Sequence, residues 1–308
     1  MARRKIVFSG NVTDADIKLM RVFKTVIDCS GLSAAQAELG VGASTISRQI
    51  SDLETRLGVR LCHRGRGGFS LTQQGKIAEA HIDRLLAAAD EFSTNIAQLN
   101  KSLVGQIKIG MIDYTVIDPR NPLVSAIRAF RTRAPDVSVN LMTGTPAEVE
   151  RGVIDGSLHI GIVPDYQRHP GLGYTELYSE EVGLYCAGNH PLAQRLRAKE
   201  TLRRDQVVEY PLVHRGYFES ERLRELKRSF PVGTIAHQTE AVLALVGFGL
   251  YLGFFPEHCA RTTQFDFIEV MPRSFGYATP IMAIWRTDRL QSQILQEFLD
   301  LVRAPQGA

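Results

Sequence analysis

The sequence predicts a multi-domain α/β chain in three parts: an amino-terminal winged helix-turn-helix, a long linker helix, and a two-lobed Rossmann-like body with a ligand cleft between its lobes. Three observations lead there. The 308 residues exceed one ordinary core, because domains run to roughly 100–200 residues. Up to residue 75 there are 11 basic residues against 6 acids, a net of +5, whereas the rest of the chain carries −2. That asymmetry is expected when only one end meets a polyanion. Third, the hydrophobic pattern changes at Gly105 from helical stripes to alternating strands and helices.

Composition narrows the class further. With 44% hydrophobic and 22% charged residues, the whole chain should fold as an ordinary globular protein. No apolar run approaches the roughly 18–20 residues that cross a bilayer, and the start MARRKIVFSGN lacks the apolar core of an export signal. The expected address is the cytoplasm, with no membrane partner. Cys29, Cys62, Cys186 and Cys259 lie far apart and never make a C-x-x-C spacing, which argues against a zinc site or disulfide framework. No metal or cofactor is expected, and each cysteine reads as a small packing residue, with a redox-sensing thiol as the alternative.

The first helix is capped by Asp14 and carries Ile17, Met20, Val22, Phe23, Val26 and Ile27 before Gly31. Ser33 then caps a short helix, Ala34 to Leu39, stopped by Gly40. After the turn Gly40-Val41-Gly42, the stretch ASTISRQISDLETRL places Ile46, Ile50, Leu53 and Leu57 on one face at helical spacing. Helix, short helix, glycine turn and longer helix form the helix-turn-helix layout. Its outward face is Ser44, Thr45, Ser47, Arg48 and Ser51. Hydroxyls serve phosphates or bases, and Arg48 alone can hold a guanine bidentately. Next, Val59, Leu61, Phe69 and Leu71 flank Arg64-Gly65-Arg66-Gly67-Gly68, a hairpin whose glycine-rich tip projects two arginines toward backbone phosphate or the minor groove. The amino terminus of the Ser33 helix is a further phosphate site.

From Lys76 to Leu103 there is no proline or glycine, and Ile77, His81, Leu85, Ala88, Phe92, Ile96, Leu99 and Leu103 form one stripe. A helix of roughly 40 Å outruns a small neighbouring domain, so it is expected to pair with the same helix of a second subunit as a homodimer. Beyond Gly105 come strand QIKIGMI, a helix from Asn121 to Arg133, strand VSVNLMTG, helix PAEVERGVIDG and strand LHIGIVP. A second set follows: EVGLYCAGNHPL, a helix near Ser220 to Ser229, Thr239 to Val246, and LYLGFFPE. The chain closes with strand PIMAIW and a helix from Leu290 to Val302. The alternation predicts parallel β-α-β units.

The run LSAAQAELGVGASTISRQISDLETRLGVRLCHRGRGGFSLTQQG resembles the winged helix-turn-helix of LysR-type transcriptional regulators. The likeness continues in VGLYCAGNHPLA, with its His190-Pro191-Leu192 phrase, and in TEAVLALVGFGLYLGFFP. The resemblance implies a dimeric or tetrameric regulator of double-stranded promoter DNA. It further implies a dimerising linker helix and a periplasmic-binding-protein-like effector domain that senses a small molecule. Two departures stand out. Gly42, Ala43, Ser44 and Thr45 occupy places where many members carry Ser-Gln-Pro-Ala or Ser-Gln-Ser-Ala, and Ala35-Gln36 replaces a common Ala-Ala. The candidate DNA-contacting residues are therefore Ser33, Ala43, Ser44, Thr45, Ser47, Arg48, Arg64 and Arg66. The expected divisions are 1–73 for the DNA-binding domain, 74–104 for the linker helix, 105–164 with 267–303 for one lobe, and 165–266 for the other.

In β-α-β lobes a ligand sits against loops after strands, which selects Asp113, Tyr114 and Thr115 after the first strand and Thr143, Gly144 and Thr145 after the second. By resemblance the other lobe contributes His214-Arg215-Gly216-Tyr217 and Thr239. The effector-site candidates are Asp113, Tyr114, Thr115, Thr143, Thr145, His214, Tyr217 and Thr239, with Phe218 beside them. Hydroxyls, free helix-terminal N–H groups and a basic residue suit a carboxylate, so a small organic acid is the expected effector. Catalysis has no support, because no G-x-S-x-G, H-E-x-x-H or phosphate-binding glycine motif occurs. A solute-binding protein without a DNA role is the remaining competitor, as the two lobes alone would fit it.

Overall fold

The computed structural model describes residues 10–65, 68–99, 103–217, 219–288 and 291–304. The chain divides into two compact units, 1–92 and 93–308.

In the first unit, α1 (Asp14–Asp28), α2 (Leu32–Leu39) and α3 (Ala43–Leu57) are followed by a hairpin, β1 (Cys62–Gly65) and β2 (Gly68–Leu71), and by α4 (Gln73–Leu99). Thr13, not Asp14, caps α1. The reciprocal box needs an acid three residues into the helix, and Asp16 supplies it by accepting from Thr13 N at 2.8 Å. Ser33 does not cap α2 either. The cap is Gly31, with no side-chain bond, and Ser33 lies exposed in the first turn. Gly40 closes α2 in the left-handed region at φ 64°, which glycine adopts without steric cost. Met20, Phe23, Val26, Ala35, Ile46, Ile50 and Leu53 make the core together with Leu61, Ile82 and Leu86. At Gly75 a Cβ would stand 1.9 Å from the Leu61 carbonyl oxygen, so only glycine lets α4 start against the wing. Ile82 and Leu86 belong to this core, so a division at 73/74 cuts through it.

The second unit begins with β3 (Gly105–Met111), a 3-10 turn (Thr115–Ile117), α5 (Leu123–Arg133), β4 (Val137–Thr143), α6 (Pro146–Asp155) and β5 (Ile160–Pro164). The long β6 (Leu172–Ala187), α7 (Pro191–Arg197), α8 (Arg204–Val207), β7 (Leu212–Arg215), α9 (Glu221–Lys227), β8 (Val232–Ala236) and α10 (Thr239–Gly247) follow. The chain then forms β9 (Gly253–Pro256), α11 (Glu257–Thr262), β10 (Phe267–Glu269), α12 (Pro272–Phe275), β11 (Tyr277–Arg286) and α13 (Gln293–Arg303). The expected parallel pairings hold for β4, β3 and β5 and for β7 with β8. They do not hold for β6, which runs antiparallel to β11, β9 and β10. Strand β11 also pairs antiparallel with β5.

Strands β6 and β11 pass from one lobe to the other as a paired ribbon, from Leu172 opposite Arg286 to Val182 opposite Tyr277. Core membership follows that passage. Tyr178, Ile281, Ala283 and Trp285 pack with β3, α5 and α13, where Phe130 meets Phe298 edge to face at 5.4 Å. Val182, Leu184, Val270 and Phe275 pack with Leu212, Leu223 and Phe254. The change of lobe therefore falls inside the two strands, and divisions at 164/165 and 266/267 both come too early. Phe218, Leu290 and Arg66 lie outside the described residues.

Candidate nucleic-acid interface and ligand cleft

The polar face of α3 forms because Ile46, Ile50 and Leu53 are fully buried on the opposite side. Ser44, Thr45 and Arg48 are exposed, and Ser47 and Ser51 half-buried. Ser33, Ala43, Ser44, Ser47, Arg64 and Phe69 line one groove where α2, α3 and the wing converge. Gly42, the cap of α3, offers no side chain. Gln36 serves instead. Its Oε1 accepts from Ala43 N at 3.0 Å, while its Nε2 donates to the Ser33 carbonyl at 3.2 Å. The departure at Ala35-Gln36 thus has a structural use in joining the two helices.

Arg64 differs from the expectation of a projecting wing arginine. Its guanidinium folds back, donating to the Ser47 carbonyl at 3.0 Å, the Ser51 hydroxyl at 2.8 Å and the Glu54 carboxylate at 2.7 Å. Glu54 also accepts from Leu61 N at 2.8 Å and Cys62 N at 3.3 Å. An acid on the back of α3 thereby gathers both the wing's first strand and its arginine, and a projecting Arg64 would leave that acid unneutralised. Arg56 is held in the same manner by buried Asp16, whose carboxyl the guanidinium keeps well below the usual range. Arg48 has no ion pair or hydrogen bond with another side chain among the described residues.

In the second unit a cleft lies where β6 and β11 cross between lobes. Its lining includes Asp113 and Tyr114 after β3, Pro146 at the start of α6, and Tyr166 after β5. From β6 come Glu180 and Val182, from β11 Tyr277 and Thr279, and from the second lobe Arg215, Tyr217, Glu219, Thr239 and His258. Strand periodicity explains the floor. Successive side chains alternate between faces, so Glu180 and Val182 share a face, as do Tyr277 and Thr279, with Glu180 opposite Thr279 in the ladder.

Of the eight predicted effector residues, Asp113, Tyr114, Tyr217 and Thr239 line this cleft. Tyr114 stands there in the left-handed region at φ 61°, a conformation that costs energy outside glycine. Thr115, Thr143, Thr145 and His214 do not line it. The Thr115 hydroxyl is buried against Tyr178 and Asn121. Thr143 is an exposed end of β4. The Thr145 hydroxyl is committed to the capping box of α6 with Glu148. His214 fails by one residue: β7 alternates, so Arg215 faces the cleft while His214 lines a separate depression with Glu219 and Lys227. Arg215, which lies within the stretch His214-Arg215-Gly216-Tyr217 but not among the expected effector residues, lines the cleft.

Arg215 donates from Nη2 to the Thr239 hydroxyl at 3.2 Å, and that hydroxyl lies 3.1 Å from Asp113, which also accepts the Thr239 N–H. Its Nη1 is buried with no hydrogen-bond partner among the described residues. The Tyr217 ring centroid lies 5.7 Å from its guanidinium carbon. Burial pushes the phenols of Tyr166, Tyr217 and Tyr277 upward, so all three are neutral donors. Glu219 is answered by Lys227 at 2.6 and 2.9 Å, both side chains buried. Asp118, Glu180 and His258 bring one ligand atom each within 4.8 Å of one another, the reach of a cation site. Arg120 already neutralises Asp118, however, through bonds of 3.0 and 2.7 Å.

The cysteines are packing residues at three of four positions. Cys62, Cys186 and Cys259 are buried, and burial raises all three thiols, that of Cys186 to about 12. Sensor thiols need the opposite setting, accessible and acidic. No described helix is long and apolar enough to cross a membrane.

Comparison with known proteins adds independent findings. Residues 17–76 match the bacterial regulatory helix-turn-helix protein of the lysR family, and residues 100–306 match the LysR substrate binding domain. The chain is 34% identical over 308 residues to the transcriptional activator BauR of Pseudomonas aeruginosa, covering 98% of this chain and 99% of that one. It is 27% identical over 294 residues to the regulator TcbR of a Pseudomonas species, covering 94% and 98%. Among solved structures, CbnR, a LysR family transcriptional regulator, superposes with a TM-score of 0.62 at 26% identity over 93% of this chain and 98% of that one.

Proposed function

The chain belongs to the LysR family, a DNA-binding transcriptional regulator with an effector-binding domain, and from that premise we propose how it reads DNA and what controls it. The regulator works in the cytoplasm as a homodimer, with dimers pairing into tetramers. Arg48 reads a base edge in the major groove, while Ser44, Thr45 and Ser47 contact phosphates and Ala43 packs close beside them. Arg64 acts indirectly by fixing the wing to α3, and Ser33 offers its hydroxyl at the rim of the groove. The dimer forms along α4, whose Ile77, Phe92 and Ile96 are 57%, 66% and 46% exposed. An exposed apolar stripe of that length needs a partner.

The effector is a small organic acid held between the lobes. The observation carrying this reading is the unpaired Nη1 of Arg215, buried in the cleft beside Thr239 and Tyr217. A buried N–H without an acceptor is costly, and a ligand carboxylate removes the cost while gaining a charge-assisted bond. The test is fluorescence anisotropy on the DNA flanking its own gene, run across salt with and without a panel of organic acids. Specific binding that an acid shifts in midpoint or footprint supports the proposal. Failure to bind that DNA specifically at any salt contradicts the DNA assignment, and indifference to every acid contradicts the effector class.

A further inference from the structure

We propose that the acid received in the cleft also carries a protonated amine, so that the effector is an amino acid whose carboxylate meets Arg215 and whose ammonium meets Glu180. This rests on the organic-acid reading above. A receptor for a plain carboxylate needs a cation and neutral walls, yet this cleft also exposes Asp113, Glu180 and Glu219 to its ligand. Two of the three acids are answered within the protein: Asp113 accepts the N–H and hydroxyl of Thr239, and Glu219 holds Lys227.

Glu180 is different. It is 4% exposed, and its one hydrogen bond among the described residues comes from the Tyr178 hydroxyl at 3.2 Å. No described cation pairs with it. The guanidinium of Arg120 is committed to Asp118, and His258, on the same cleft wall, is pushed toward its neutral form by burial. Burial accordingly lifts the Glu180 carboxyl to about 7, with Asp118 and Asp113 adding repulsion. The cleft thus holds one buried guanidinium N–H without an acceptor and one buried carboxyl with no described cation against it. A plain acid would answer the N–H and leave the carboxyl without a cation, held near its neutral form by burial. A zwitterion answers both, and the faces of Tyr166, Tyr217 and Tyr277 suit the chain between its charges and the ammonium itself.

The experiment is calorimetric titration of the full-length chain with α- and ω-amino acids of three to six carbons. Each is compared with the matching acid lacking the amine and the matching amine lacking the carboxylate. One amino acid is expected to bind roughly tenfold to a hundredfold more tightly than either truncated partner, the range of a charged hydrogen bond. Glu180→Gln should remove that preference, so that the amino acid binds no more tightly than its plain acid, and should strengthen binding of the plain acid itself by taking a carboxyl out of the cleft. A plain acid binding as tightly as its amino counterpart overturns this inference and leaves the organic-acid reading standing. Binding by none of the three series overturns both.

Discussion

Arg64 at the wing and Arg215 at the end of β7 are both arginines drawn largely out of water, and their surroundings differ. Arg64 is answered by a carbonyl, a hydroxyl and the Glu54 carboxylate. Arg215 meets one hydroxyl and leaves Nη1 bare. The contrast extends beyond these two. Among the described residues, buried side-chain atoms lacking a partner occur once in the first unit, at Gln49, and at His214, Arg215, His258 and Trp285 in the second. The first unit uses its buried charges to fix the shape that carries the polar face of α3. In the second unit only Arg215 and His258 of these line the cleft, and His258 Nδ1 lies 3.2 Å from Asp118, so the Arg215 N–H is the one a ligand would complete.

The largest effect should follow Arg215→Met. Ligand affinity, measured by calorimetry, is expected to fall roughly a hundredfold or more, the usual consequence of removing one partner of a buried charge pair. The melting temperature of the free protein should hold or rise, because a buried N–H without an acceptor disappears. A matching fall in the melting temperature would erase the contrast with Arg64.

Glu180→Gln comes next and is read through pH. The folded-state carboxyl titrates at about 7 against an ordinary value of 4.5, so the native state binds the proton more tightly than the unfolded chain. Its contribution to stability is complete below about pH 4.5 and is lost as the pH rises through 7. Relative to wild type, Glu180→Gln should gain up to roughly 3 kcal/mol above pH 7 and nothing near pH 4. Chemical denaturation of the ligand-free chain across that range checks it, and a pH-independent difference would contradict it.

Arg64→Ala should cost about 1–3 kcal/mol of stability, the price of stranding a half-buried acid. DNA binding should weaken on specific and random duplexes alike, because the wing loses its anchor to α3. Restoring the melting temperature by adding Glu54→Gln would sharpen the comparison, since the acid would then no longer be left uncompensated.

The first unit was largely legible because its elements are local. The spacing of Ile46, Ile50 and Leu53 and the glycines around Val41 specify helix, turn and helix without distant information. Its errors were single-residue choices of cap, Asp14 for Thr13 and Ser33 for Gly31, where several capping residues crowd one boundary. What spacing could not reveal was Arg64 folding back, because its acid partner lies on another element. In the second unit the order of elements was readable, but the β6–β11 ribbon was not. Its crossing halves, Leu172–Glu180 and Tyr277–Thr279, lie outside the apolar runs that marked the strands, so Glu180, Tyr277 and Thr279 went unnoticed. Asp113 and Tyr114, selected by the strand-end rule, and Tyr217 and Thr239, selected by the family likeness, line the cleft. His214 was preferred to Arg215 because a one-residue error in a strand reverses the face.

The central claim is that a group left without an internal partner does the recognising, and among the described arginines of α3 that group is Arg48, since Arg56 is held by Asp16. Fluorescence anisotropy of Arg48→Ala on the DNA flanking its own gene, against a scrambled duplex of equal length, tests it most directly. Specific affinity should fall by about 1–3 kcal/mol while binding to the scrambled duplex drops far less, with the melting temperature unchanged. An equal loss on both duplexes would show that Arg48 meets only phosphate, and the base-reading role assigned to it would be wrong.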